Sequence, residues 1–581
     1  MEILNHYYNQ RDLIKLISKY RIKIATKRHD IHIINDIRSF YVDPVQKISK
    51  KTDCIILDIL PPRSKWIKIR KREKYSNSTA LNIANLEKTI HFYKKKIKND
   101  NTAIIYDWYK CLMSYINDIR SSIIDIESYE ISPPKIIAAK KDRDNRDDNA
   151  YRPIAHYEAL KDKIIIGQAA KYLTDIFDSE FCDSASFAFR SKKNKKKAIT
   201  HHDTILKILN YKEMQSGKDL WVAECDIKKF YDCVNHKVAK EALLEIIKRV
   251  EHKDKKVDKR AIKIFDLYLD SYSFNNDVFP LNKTNMIEIK GEYKWEEQEL
   301  IDNFYIGGIK ERVGVPQGGA ISCLIANLIL DKVDRSVLQV DESVFDNDLL
   351  YMRYCDDMII IHPDKDKCNQ ALQRYLSALK ECKLLCHDPL NVESYSATFW
   401  ASSLKSKAPY RWAKSEINAG SVPWLSFVGY QVRYDGTVRI RKKSINKELK
   451  KQELITNSLL KAIRYKKNRE NLEINVRRSS PQIIYRVEQK LISMSVGRVK
   501  LHTYLNKMSP QLSWTVGFKE LKKNEVIVRQ LKILDRGRTK QIKELKKKLK
   551  ALNKPNTSEE NDIPNIYFGS PFSYHNFILR K

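Results

Sequence analysis

Two adjacent acids, Asp356 and Asp357, sit inside the run LLYMRYCDDMIIIH, which ends at His362. Apolar, β-prone residues flank them on both sides. The run predicts a strand, a tight turn and a second strand, with both carboxylates at the bend. Adjacent ionised acids repel each other and avoid apolar surroundings, and a divalent cation relieves both penalties. Taken alone, Tyr354 to Asp357 is equally what an ordinary exposed turn looks like, because turns favour Asp. A third acid tips the reading. Asp226 ends a short buried-looking strand that starts at Trp221, and a helical pattern follows, with Val238, Ala239, Ala242, Leu243, Ile246, Ile247 and Val250 at helical spacing. A carboxylate at a strand end, beside a hairpin carrying two more, is what two-metal phosphoryl transfer needs, with two Mg²⁺ ions about 3.5–4 Å apart bridged by acids from different elements. Octahedral Mg²⁺ takes one or two protein carboxylates and fills its shell with substrate oxygens and water, so three acids suffice.

The elements that must position these acids are legible around a third segment, Gly314-Val315-Pro316-Gln317-Gly318-Gly319-Ala320-Ile321-Ser322. The chain has 15 Gly in 581 residues, and five of them (Gly307, Gly308, Gly314, Gly318, Gly319) fall between 307 and 319. Such local density implies backbone that bends or lets a ligand approach closely. The apolar run from Ile321 to Leu330 predicts a buried helix behind this loop. A loop that merely feeds a core helix would read the same way.

Together these pieces resemble the palm of a reverse transcriptase. Asp226 stands at that family's first metal aspartate, Val315 to Ser322 resembles its PQG motif, and Tyr354 to Asp357 matches its YxDD box. Further segments follow in the family's order. Arg152-Pro153-Ile154 and Asp162-Lys163-Ile164 resemble its finger motifs, Ser186 to Arg190 its SYGFR segment, and Phe427-Val428-Gly429-Tyr430 its primer-grip turn. The resemblance covers roughly residues 135 to 440. It implies an α+β right-hand polymerase of fingers, palm and thumb, with an antiparallel palm sheet. It also implies an RNA-directed DNA polymerase that uses dNTPs and two Mg²⁺ ions (Mn²⁺ being a substitute), copies an RNA template and makes a DNA product.

By the same resemblance Asp226, Asp356 and Asp357 are the catalytic metal ligands. Arg152, Lys141, Tyr231, Gln317 and Gly318 would face the nucleotide, with Lys140 as an alternative to Lys141. Tyr231 would clash with a ribose 2′-hydroxyl, which favours dNTPs. Arg190, Tyr354, Phe427, Gly429 and Tyr430 would meet primer and template. Lys405 and Lys407 are both candidates for the lysine that protonates pyrophosphate. Cys355 departs from the usual box residue, and Gly319 replaces a small hydroxyl residue. The distance from Asp226 to Asp356 implies an insertion, placed at 271–305.

Residues 1–134 are expected to form a helical N-terminal extension, with one helix from Asn77-Ser78 toward Lys98 and another from Ile104 to Ile126. Ser132-Pro133-Pro134 marks a boundary. Fingers and palm follow at 135–440, a basic helical thumb at 441–552, and a linker with an aromatic tail at 553–581. No RNase H, integrase or HNH segment is apparent. The plan looks like that of free-standing bacterial reverse transcriptases of the defence-associated, abortive-infection class, some of which work with a non-coding RNA. Some prime synthesis on a protein hydroxyl, for which Tyr567 or Tyr574 would be the acceptor. A group II intron-derived maturase and a catalytically idle RNA scaffold are the alternatives. Either a homo- or a hetero-oligomer is compatible with the chain.

Composition bounds the classes. No apolar run approaches the roughly 18–20 residues of a membrane span, and the start MEILNHYYNQ lacks the apolar core of a secretory leader. The ten cysteines show no paired zinc spacing, so reduced thiols in the cytoplasm are expected. The net charge is +35, and residues 439–554 carry 33 Lys and Arg against 9 Asp and Glu. Such density points to a polyanionic partner. Nucleic-acid binding should therefore fall steeply with salt, on the order of a thousandfold between 50 and 200 mM if six phosphates are neutralised. A flat profile in a salt titration would remove the basic region from the interface.

Overall fold

The computed structural model describes residues 4–39, 55–70, 78–99, 106–140, 150–191, 199–283, 291–342, 344–392, 399, 404–414, 421–464, 518–522 and 524–552. A 3-10 turn (Leu4–Tyr8) leads into α1 (Gln10–Ser39), followed by α2 (Ser78–Asn99) and α3 (Asp107–Ile124), the last two close to the expected helices. An antiparallel hairpin comes next, β1 (Lys135–Lys140) with β2 (Tyr151–His156). The chain then forms α4 (Leu160–Phe177), α5 (His201–Met214), β3 (Trp221–Cys225), α6 (Phe230–Cys233), α7 (His236–Glu251) and α8 (Lys259–Asp270). It continues through α9 (Glu297–Phe304), α10 (Ala320–Val337), β4 (Leu350–Tyr354), β5 (Asp357–His362) and α11 (Lys365–Glu381). It closes with β6 (Lys407–Arg411), β7 (Trp424–Phe427), β8 (Tyr430–Arg433), β9 (Val438–Ile440), α12 (Lys442–Arg464) and α13 (Glu525–Leu552).

The described residues group into two compact units. One takes in Met1–Leu13, Met113–Val428 and Val432–Thr437, the other Ile14–Leu112, Gly429–Gln431 and Val438–Lys581. These units do not follow the expected boundaries at 134 and 440. The first residues and the later part of α3 belong with the first unit because they are bonded to α4. Tyr7 donates to Asp175 at 2.8 Å, Tyr8 to the Ile165 carbonyl at 2.7 Å, and Lys161 pairs with Asp118 at 2.7 Å.

In the first unit four strands form one antiparallel sheet ordered β4-β5-β3-β6. Ile359, Ile360 and Ile361 on β5 are fully buried. Helix α11 packs on β3, β5 and β6, and α10 packs on α4, α7 and α11. Helix α7 starts where it does because the Asn235 side chain accepts from the N–H groups of Lys237 (2.8 Å) and Val238 (3.1 Å). The layers are α+β, with helices over an antiparallel sheet.

One buried ion pair ties these layers together. Arg353, one residue before Tyr354, has a side chain 1% exposed, and Asp334 on α10 is 0% exposed. Arg353 Nε donates to both Asp334 oxygens, at 2.8 and 3.0 Å, and Nη1 donates to Asn327 Oδ1 at 3.0 Å. The Tyr351 hydroxyl is a second donor to Asp334, at 2.8 Å.

In the second unit α12 and α13 pack together, burying Ile527, Leu531, Leu534, Ile542 and Leu545. Gln530 bonds both backbone groups of Ile440, at 3.0 and 2.7 Å. Lys532, Arg536, Lys540, Lys543 and Lys547 line an open groove of about 880 Å³ on α13. No helix among the described residues is long and apolar enough to cross a membrane.

Removing one partner of a buried pair strands the other charge. Asp334→Ala should lower the unfolding free energy by about 3–5 kcal/mol, measured by urea unfolding. A loss below about 1 kcal/mol, the value of an exposed pair, would show that the two charges do not depend on each other.

Candidate active site

Strand register brings the three acids to one end of the sheet. Cys225, the last residue of β3, pairs with Met358 on β5, so Asp226 follows on toward Asp357. Asp357 in turn pairs with Tyr354 across the hairpin, leaving Cys355 and Asp356 as its two-residue loop. Neighbouring strands lie about 4.8 Å apart, so β3 and β5 deliver their acids side by side. Cys355 holds a φ of 61°. A non-glycine residue there costs roughly 1–3 kcal/mol and persists where its surroundings impose it. Its Sγ lies 3.3 Å from the Tyr231 hydroxyl on α6. Burial pushes the Cys355 thiol up to about 12, with the Asp356 carboxylate adding to the shift. It is a neutral packing group, not a reactive thiolate.

Asp226 is anchored through its backbone. Its N–H donates to Ser406 Oγ at 2.9 Å, and its carbonyl accepts from the His387 N–H at 3.0 Å. Its carboxylate, 37% exposed, lies 3.8 Å from Lys405 Nζ and 3.6 Å from His387 Nε2. Lys405 Nζ is 2.8 Å from His387 Nε2. Burial, then the Lys405 ammonium, lowers the His387 pKa, so its neutral imidazole accepts from the lysine.

The donor set is oxygen-only, which suits a hard cation such as Mg²⁺. Among the described residues, however, no three His, Cys, Asp or Glu side chains converge into a ready-made cage. The sheet aligns the acids' backbones, while the Asp226 carboxylate is turned toward Lys405 and His387.

The glycine loop stands beside this sheet end. Gln317 Nε2 donates to Asp232 Oδ1 on α6 at 2.7 Å, and Gly318 is exposed with a φ of 85°. A Cβ on Gly319 would fall 1.8 Å from the Tyr268 hydroxyl, which bonds Ser322 Oγ at 2.7 Å. That contact explains why no hydroxyl residue stands at 319.

Comparison with known proteins agrees with this geometry. Residues 139–388 match the family model described as reverse transcriptase (RNA-dependent DNA polymerase). These residues are a reverse transcriptase domain. The enzyme is a nucleotidyltransferase of the RNA-directed DNA polymerase class. No curated protein matches the chain. Similar solved structures include telomerase from Candida albicans in complex with a TWJ fragment of telomeric RNA. It is 13% identical with a TM-score of 0.33, over 84% of this chain and 79% of that one. Apo telomerase from Candida tropicalis is 14% identical with a TM-score of 0.34, over 74% and 68%. Both likenesses are loose.

The structure sorts the remaining sequence candidates. Arg152 is exposed on β2, opposite Ala139. Lys141 lies outside the described residues, as do Tyr567 and Tyr574. Tyr354 is half-buried, its ring centroid 6.0 Å from that of His201. Arg190 does not present itself to nucleic acid. Its side chain is 2% exposed, with Nε donating to Asp178 at 2.8 Å and Nη1 to the Ser186 carbonyl at 2.9 Å. Phe427 and Tyr430 are likewise buried. The turn between them, with Val428 and Gly429 at φ 41° and 89°, is half-buried. The two lysines separate clearly. Lys407 is buried against Glu224 at 2.6 Å, whereas Lys405 stands at Asp226. Sequence reasoning missed His387, a lone histidine with no motif around it, and His236.

His236 is buried at the start of α7, and its Nε2–H donates to the Gly314 carbonyl at 2.7 Å. Burial lowers its pKa from 6.5 to about 4, the nearby Arg312 adding to the shift and the Gly314 bond opposing it. Between those values the unfolded chain binds the proton and the folded chain does not, so stability falls as pH drops through that window. His236→Gln should flatten this part of the stability profile, removing a slope of up to about 1.4 kcal/mol per pH unit. Urea unfolding of both proteins from pH 7 to 4 checks it; parallel profiles would contradict the assignment.

Proposed function

We propose that the domain polymerises dNTPs on an RNA template by two-metal phosphoryl transfer. The observation that carries this reading is the strand register, which puts Asp226 and the Asp356-Asp357 hairpin at one sheet end. Asp226, Asp356 and Asp357 would hold two Mg²⁺ ions, with Mn²⁺ a substitute. Bound there, the ions supply activation of the primer 3′-hydroxyl and charge neutralisation at the leaving pyrophosphate.

The other residues bind and orient. Tyr231, held against the Cys355 turn, offers a wall under the sugar that a ribose 2′-hydroxyl would meet. Gln317 and the exposed Gly318 face the nucleotide, and Arg152 reaches the triphosphate, where a guanidinium makes paired bonds to phosphate oxygens. Lys405 holds a proton on the Asp226 side of the site. The basic stripe on α13 supports a grip on the template–product duplex. The cellular role we infer is cytoplasmic anti-phage defence with a non-coding RNA partner; its support is the resemblance of the motif set to that class.

Asp356→Ala should abolish primer extension while leaving RNA affinity within about twofold, since the phosphate contacts lie elsewhere. The same allele should lose phage protection in a plaque assay, and Tyr231→Ala should admit rNTPs in a side-by-side incorporation assay. Extension by the Asp356→Ala enzyme would defeat the two-metal reading. RNA binding without extension by the unaltered enzyme would favour an RNA scaffold or maturase.

A further inference from the structure

Residues 271–305 lie between the Asp226 strand and the glycine loop and carry no motif of their own. Their described part is nevertheless well packed. Tyr272, Phe274, Val278 and Tyr293 form a buried cluster that covers Ile136, Ala138, Tyr151 and Ala155 of the β1–β2 hairpin. Those four hairpin residues share one face, because Ile136 pairs with Ala155 and Lys140 with Tyr151. Arg152 is on the opposite, exposed face, in register with Ala139. A two-stranded hairpin alone is marginal in water, so the cluster behind it fixes where Arg152 stands. The Glu292 carbonyl adds a bond from the Tyr151 N–H at 2.9 Å, one residue from Arg152.

The same segment grips two more pieces of the site. Glu299 on α9 pairs with Lys228 at 2.7 Å, and the Lys294 carbonyl accepts from Lys229 Nζ at 2.6 Å. These lysines follow Asp226 by two and three residues. At the glycine loop, the Phe274 N–H donates to the Val313 carbonyl at 2.6 Å, and Asn275 bonds the Glu311 carbonyl (2.9 Å) and the Val313 N–H (3.0 Å). A Cβ on Gly314 would fall 2.4 Å from Phe274 Cβ and 2.9 Å from its backbone N, so the two backbones pack directly on each other. Trp295 joins the contacts: its ring is 5.1 Å from both Phe274 and Phe279, and it also packs on the cluster of Cys233, Leu300, Tyr305 and Val313.

We propose that this insertion is a positioning element for the incoming nucleotide, bracing the Arg152 hairpin, the Lys228-Lys229 step and the Gly314 loop against one another through Trp295. The proposal rests on the polymerase reading. On that reading Arg152, Asp226 just before the Lys228-Lys229 step, and Gln317 just after Gly314 converge on one nucleotide and must hold a common geometry, and small displacements there cost binding before they cost chemistry.

The test measures dNTP KM, kcat, RNA affinity and melting temperature for Trp295→Ala, Glu299→Gln, Arg152→Ala and the Arg152→Ala/Trp295→Ala double variant, below the melting point of each. Trp295→Ala should raise dNTP KM on the order of tenfold with a much smaller change in kcat and unchanged RNA affinity. The double variant should lose little beyond Arg152→Ala alone, because Arg152 is the group being positioned. Glu299→Gln, a milder change at a partly exposed pair, should raise KM about two- to fivefold, and it decides the matter if Trp295→Ala does not fold. A lower melting temperature with unaltered KM in both insertion variants would make the segment a structural filler and overturn the proposal. Full additivity in the double variant would overturn the link to Arg152. An unaltered enzyme that fails to extend a primer would instead overturn the polymerase reading, a result distinct from either.

Discussion

A guanidinium with a side chain only 1% exposed, beneath a hairpin that presents two acids, is the constraint the rest of this structure satisfies. Burying such a charge costs several kcal/mol unless its hydrogen bonds are met. Arg353 meets them at Nε and Nη1, with Asp334 and Asn327 on α10, while Nη2 rests 2.8 Å from Asp334 as an ion-pair contact without hydrogen-bond geometry. Its backbone N–H donates to the Ala185 carbonyl at 2.8 Å, and its carbonyl accepts from the Phe187 N–H at 3.2 Å. One residue thus binds the acidic hairpin, the helix behind the glycine loop and the Ser186–Arg190 segment into a single body. Apolar packing alone would tolerate some slip between these layers; a buried charge with fixed partners resists it.

The acids themselves sit in a different environment. Asp226 is over a third exposed and Asp357 is exposed, at the rim of a sheet whose interior is apolar. Carboxylates kept at a wet rim can turn toward a ligand, while the strands beside them are held by ladder bonds. Lys405 and His387 supply the nearby positive and neutral partners of Asp226. The division of labour is physical: rigidity comes from the buried Arg353 network, and adaptability from exposed side chains.

Local pattern was enough for the elements nearest the chemistry. Strand β3, the Asp356 hairpin, α7 and α10 all lie where alternation, helical spacing and glycine density placed them. Side-chain destiny was much less legible. Arg190 and Tyr430 were expected at primer and template through the motifs they resemble, yet both are spent on internal partners or packing. Lys405 and Lys407 were indistinguishable in sequence because nothing local shows that β6 begins at Lys407 and leaves Lys405 outside the strand. One falls at the rim and the other against Glu224 inside. The segment 271–305 showed no periodicity because its one α-helix, α9, is short and the rest of its described part is ordered by aromatic contacts with distant segments.

By itself the sequence determined the kind of chemistry, since three carboxylates, a glycine loop and a basic region each follow from residue type and spacing. It also determined the short-range elements, whose hydrogen bonds close within a few residues. Only the tertiary structure decided which polar side chains remain available. Burial and ion pairing depend on what the fold brings from far along the chain, as when Glu224 meets Lys407 or Glu299 meets Lys228. The grouping of Tyr7 and Tyr8 with α4 was decided the same way, by hydroxyls that find acceptors more than 150 positions away.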